Sequence, residues 1–91
     1  MSRAIEQNTD RQRFQWIEGS ALSVLDYRLE GDVLSLTHTE VPPALAGRGI
    51  AADLTKFALD MARTNGWRVQ PLCSYTVAYL RRHPEYQDLV I

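Results

Sequence analysis

Residues 33–72 read VLSLTHTEVPPALAGRGIAADLTKFALDMARTNGWRVQPL, and the fold turns on this stretch. From Val33 to Val41 apolar residues fall on both faces, Val33 and Val41 on one, Leu34 and Leu36 on the other. That pattern predicts a central strand covered on both sides. Pro42-Pro43 ends it, because neither residue donates a ladder hydrogen bond. The period then changes. Ile50, Leu54, Phe57, Ala58, Met61 and Ala62 recur at helical spacing and form one apolar stripe. Asn65-Gly66 suits a left-handed helix end, and Trp67 to Leu72 reads as a short strand. Strand, helix, strand in succession predicts a right-handed crossover with the two strands parallel.

Upstream the alternation is simpler. Phe14 and Trp16 point one way and Arg13, Gln15 and Ile17 the other, until Gly19-Ser20 breaks the run. Leu25, Tyr27 and Leu29 then share a face opposite Asp26 and Arg28, with a turn at Glu30-Gly31-Asp32. Together with the 33–41 strand these read as an antiparallel meander. Residues 1–12 lack periodicity and are expected to form a disordered tail ahead of one domain over 13–91. Downstream, Ser74 is the expected N-cap of a second helix that carries Val77, Ala78 and Leu80 on one side. Pro84 interrupts that helix and opens a final turn through Leu89. The predicted architecture is α/β (α+β), a mixed sheet of about four strands with two main helices.

The chain has 91 residues, room for one domain, and 45% of them are hydrophobic. Ten basic and 11 acidic residues leave a net charge of −1. Arg81-Arg82 is the only adjacent basic pair, so the clustered basic face of a nucleic-acid binder is missing. No apolar run approaches the ~20 residues needed to cross a bilayer. Cys73 is the lone cysteine, which excludes an internal disulfide and a multi-cysteine metal site. A single thiol and a polar N-terminus fit a reducing, cytoplasmic setting.

The segment Leu45-Ala46-Gly47-Arg48-Gly49-Ile50-Ala51 lies between a strand end and a helix start. Two glycines let the backbone turn tightly, and the first helical amides lack internal partners. With the helix dipole this suits a pyrophosphate; the plainer reading is a turn that only starts a helix. It is not a Walker loop, since no Lys-Ser/Thr pair follows Gly49. Arg48 either neutralises a phosphate or is simply solvated. Cys73 stands just before the Ser74 cap, where a helix dipole favours thiolate. It is a candidate nucleophile, or a buried structural cysteine. His38, in a strand otherwise apolar on its side, is a candidate base toward an ammonium or toward Cys73, or a hydrogen-bonded core residue.

Four strings in order resemble a known family: His38-Thr39-Glu40-Val41-Pro42, Leu45 to Ala51, Pro71-Leu72-Cys73-Ser74-Tyr75, and His83-Pro84-Glu85-Tyr86. They look like the very small GNAT-like acetyltransferases, and the likeness runs from about Glu18 to the C-terminus. The resemblance implies a GNAT-like fold with acetyl-CoA in an opening between two parallel strands. It places the pyrophosphate on the amides of Gly47, Arg48, Gly49, Ile50 and Ala51, and the pantetheine along the strand near Val41. It implies a tyrosine of the second helix that protonates the leaving thiolate; Tyr79 is preferred over Tyr75, which lies in the first turn. The chain departs from larger relatives at Ala44, where they carry Gln or Arg. It also lacks the extra helices and strand that form their acceptor groove. The implied activity is acetyl transfer from acetyl-CoA to an amine. The alternative is a module that binds coenzyme A or an acyl-CoA without turnover.

Overall fold

The computed structural model describes residues 3–91. The alternating runs form the expected hairpins: Arg13–Glu18 (β2) pairs antiparallel with Ala21–Glu30 (β3), and β3 with Val33–Glu40 (β4). A 3-10 turn at Pro43–Leu45 follows the two prolines. Ile50–Asn65 is a helix (α1), which returns the chain to Arg68–Pro71 (β5). β5 lies parallel to β4, as the crossover requires. Ser74–Arg82 forms the second helix (α2), and a 3-10 segment occupies Pro84–Leu89.

One strand more than expected is present. Glu6–Asn8 (β1), within the stretch read as a disordered tail, pairs antiparallel with β2, giving a sheet of order β1-β2-β3-β4-β5. Three polar residues carry no alternation to read. Tertiary bonds hold them instead: Gln7 Nε2 donates to Tyr27 Oη at 3.0 Å, and Gln15 Nε2 to Glu6 Oε1 at 3.1 Å. Met1 and Ser2, also part of that expectation, lie outside the described residues.

The core occupies one face of the sheet. Phe14, Leu25, Tyr27, Leu34, Leu36 and Val69 meet both helices in a single buried cluster. The helical stripe is rotated slightly from the expected one. Thr55 and Leu59 are fully buried in α1, whereas Phe57 and Met61 are only half-buried. The hydroxyl of Thr55 is satisfied by the Ala51 carbonyl at 2.8 Å, so its burial leaves no orphan. In α2 the buried side is Thr76, Tyr79 and Leu80, not Val77 and Ala78, which are half-buried. β4 is interior to the sheet, yet only its Leu34–Leu36 face meets the core; the other carries Ser35, bonded to Gln70 at 3.1 Å, and exposed His38. The C-terminus runs beside β5, with the Ile91 amide donating to the Val69 carbonyl at 3.0 Å. Among the described residues no helix is long and apolar enough to cross a membrane.

Candidate active site

β4 and β5 part company in mid-sheet. Their ladder runs from Val33 opposite Arg68 to Leu36 opposite Pro71 and stops. There the Leu36 carbonyl accepts two amides, those of Leu72 and Cys73, each at 3.0 Å. β4 continues through Glu40 paired with β3, and among the described residues its other edge has no strand partner there. A bulge marks the same place. Tyr27 pairs with Leu36 but Asp26 with His38, leaving Thr37 as the extra residue, its hydroxyl on the Asp26 carbonyl at 3.2 Å.

That extra residue reverses which side chains face the core. A regular strand would put His38 with Leu34 and Leu36. The bulge instead turns Thr39 toward the core side, opposite Leu25, and His38 toward the uncovered face. His38 is exposed there, and its Nε2 lies 3.2 Å from Glu40 Oε1. The structure thus brings His38 together with Glu40 and not with Cys73. The partner of Cys73 is Thr39, whose Oγ1 is 3.4 Å from the sulfur.

Cys73 itself is the N-cap of α2, in extended conformation, with Ser74 already the first helical residue. A thiol there faces the unpaired amides of the first turn. Burial pushes its pKa up, while the Thr39 hydroxyl and the Thr76 and Tyr75 amides pull it down. The donors prevail, and the thiol is more acidic than an ordinary cysteine.

The loop beside it opens α1. Gly47 and Gly49 both adopt left-handed backbones, φ 81° and 78°, on either side of Arg48. A side chain at either position would meet open space but a disfavoured φ. The first helical bond is from the Asp53 amide to the Gly49 carbonyl, 3.0 Å. Among the described residues, the amides from Gly47 to Ala52 find no acceptor. Such a nest at a helix start, reinforced by the dipole, is an anion cradle. A cleft of about 290 Å³ adjoins it, lined by Val41, Leu45, Gly47, Gly49, Ala51 and Tyr75. Val41, Gly47, Gly49, Ile50 and Ala51 all line this cleft. The Arg48 guanidinium points elsewhere, 2.7 Å from the Glu18 carboxylate.

The profile of the family described as GCN5-related N-acetyl-transferase matches residues 13–89, nearly the whole chain. The chain belongs to that family. Among curated relatives, Protein NATD1 of Gallus gallus is 40% identical over 68 residues, which are 74% of this chain and 62% of that protein. Protein NATD1 of Homo sapiens is 40% identical over 68 residues, 74% of this chain and 60% of that protein. The chain thus spans about three-fifths of the length of these relatives. The solution NMR structure of a GCN5-like protein from Staphylococcus aureus superposes with TM-score 0.74 at 28% identity. It covers 100% of this chain and 91% of that one.

Within this member of the family the two tyrosines of α2 differ in position. Tyr75 lines the cleft. Tyr79, the preferred residue from sequence, is 7% exposed and stacked on His83, ring centroids 4.0 Å apart. Burial raises the pKa of both phenols. Two neighbours of these residues had no sequence signal of their own, Thr39 at the sulfur and Glu18 on Arg48. Only the bulge and the long-range pairing reveal them.

Proposed function

We propose that this protein is a cytoplasmic acetyl-CoA-dependent N-acetyltransferase acting on an amine acceptor, a small molecule or a protein side chain. The observation that carries the reading is the run of unpaired amides at Gly47–Ala52, set where two parallel strands diverge. These amides hold the pyrophosphate, with Arg48 exchanging Glu18 for a phosphate oxygen. The free edge of β4 as far as Val41 takes the pantetheine amides.

The acidified Cys73 then attacks the thioester carbonyl carbon, with backbone amides at the split polarising the carbonyl oxygen. A new carbon–sulfur bond forms to Cys73, and the bond to coenzyme A breaks. Tyr75, whose phenol keeps its proton at neutral pH, supplies that proton to the departing thiolate. The acceptor amine approaches over the uncovered sheet face, where His38 and Glu40 take the proton of its ammonium form. Amine nitrogen attacks the acetyl carbon, the Cys73 bond breaks and the thiolate returns, while the second proton lost by the nitrogen restores the Tyr75 phenol and the first passes from His38 to water. The products are an amide and free coenzyme A, so atoms and charge balance.

Intact mass spectrometry after incubation with acetyl-CoA should show one added acetyl group, absent in Cys73→Ala. Thiol release from acetyl-CoA should rise with polyamines, amino acids or lysine peptides. Cys73→Ala should lower that rate on the order of a hundredfold. An unchanged rate in Cys73→Ala makes the transfer direct from thioester to amine. Tight binding of acetyl-CoA without any response to amines identifies instead a binding module.

A further inference from the structure

The loop before α1 is held from the far end of the chain. Arg3 reaches across with both terminal guanidinium nitrogens: Nη1 pairs with the Asp53 carboxylate, and Nη2 donates to the Arg48 carbonyl at 2.8 Å. The pair is sheltered, with side-chain exposures of 23% for Arg3 and 39% for Asp53. Asp53 stands in the first turn of α1, directly after the free amides. A carboxylate there suits a bare helix N-terminus but repels a phosphate docked at the same place. The second contact acts on geometry. In a trans peptide the C=O and the following N–H point opposite ways. Turning the Arg48 carbonyl toward Arg3 therefore turns the Gly49 amide away from it.

We propose that Arg3 is a positioning residue for coenzyme A, neutralising Asp53 beside the phosphates and fixing the Arg48–Gly49 peptide. The proposal rests on the assignment of the pyrophosphate to this loop. Its test is calorimetric titration of the full chain with coenzyme A and with pantetheine, which has the thiol and amides but no phosphate. Arg3→Met should weaken coenzyme A binding by roughly fivefold to tenfold, as expected for a part-buried charge-assisted contact. It should leave pantetheine binding at the parent value. Adding Asp53→Asn to Arg3→Met should recover more than half of the loss, because the charge to be neutralised is gone. Parent-like coenzyme A binding by Arg3→Met overturns the proposal. Equal loss of both ligands, or no recovery in the double variant, overturns it too. A parent chain that binds pantetheine but not coenzyme A removes the loop assignment itself, a result distinct from these.

Discussion

Gly49 and Gly66 bracket α1 with nearly the same backbone, φ 78° before the helix and 72° after it. At Gly66 the conformation closes the helix. Its amide reaches the carbonyls of Ala62 and Arg63, and the Trp67 amide reaches Ala62 at 2.9 Å. The last turn thus satisfies its own carbonyls. At Gly49 the same conformation closes nothing, and among the described residues the amides from Ile50 to Ala52 find no acceptor. Left-handed glycine is therefore not the mark of a site. What distinguishes the two ends is whether the chain supplies partners for its own polar groups.

The sharpest way to break this contrast is to place one substitution at each end. Valine at either position pays the strain of a branched residue at positive φ, about 1–2 kcal/mol. Both variants should therefore lose thermal stability by a similar margin, on the order of 4–8 °C per kcal/mol. Only Gly49→Val should also abolish coenzyme A binding in calorimetry, since its side chain projects into open space beside the nest. If Gly66→Val loses binding as well, the helix as a whole is at fault and the contrast fails.

The start of α2 offers a finer comparison, because there the unpaired amides face a thiol. Thr39→Val removes one of the donors that lower the Cys73 pKa. The pH midpoint for iodoacetamide alkylation should therefore move upward, toward that of an ordinary thiol, while coenzyme A binding stays unchanged. A midpoint that does not move would leave the backbone amides of Thr76, Tyr75 and Thr39 as the cause. Smallest are the effects at the rim of the loop. Arg48→Ala should weaken coenzyme A by about 1 kcal/mol, roughly fivefold, as an exposed charged contact does. Glu18→Gln should act oppositely and tighten binding by about twofold, because the guanidinium is released from its competitor. The same titration reads both signs.

These contrasts also show what a sequence can disclose. The helix from Ile50 was legible because a 3.6-residue period needs only local residues, and the crossover followed from it. The nest was legible as two glycines between a proline stop and that helix. The bulge at Thr37 was not, because an inserted residue leaves the string of residue types unchanged while reversing their faces. Reading straight through it sends His38 inward and overlooks Thr39. β1 was hidden for another reason: Glu6–Asn8 is too short and polar to pattern, and its order comes from β2 and Tyr27. Contacts such as Arg3 with Asp53 join residues far apart in the chain, and neither residue type announces the other.

The way the chain finishes has a bearing on how copies of it behave toward each other. An unpaired strand flank invites another chain to add to the sheet. On one flank here the outermost strand is three residues long and begins with a glutamate. On the other, the Val90–Ile91 segment lies along β5, bonded to Val69 and clasped by the Arg68 guanidinium at 3.0 Å from the Val90 carbonyl. Trimming only those two residues would bare the backbone of a strand rich in hydrogen-bonding capacity, next to the exposed Leu72. Self-association, rather than unfolding, is the damage such a truncation should cause first.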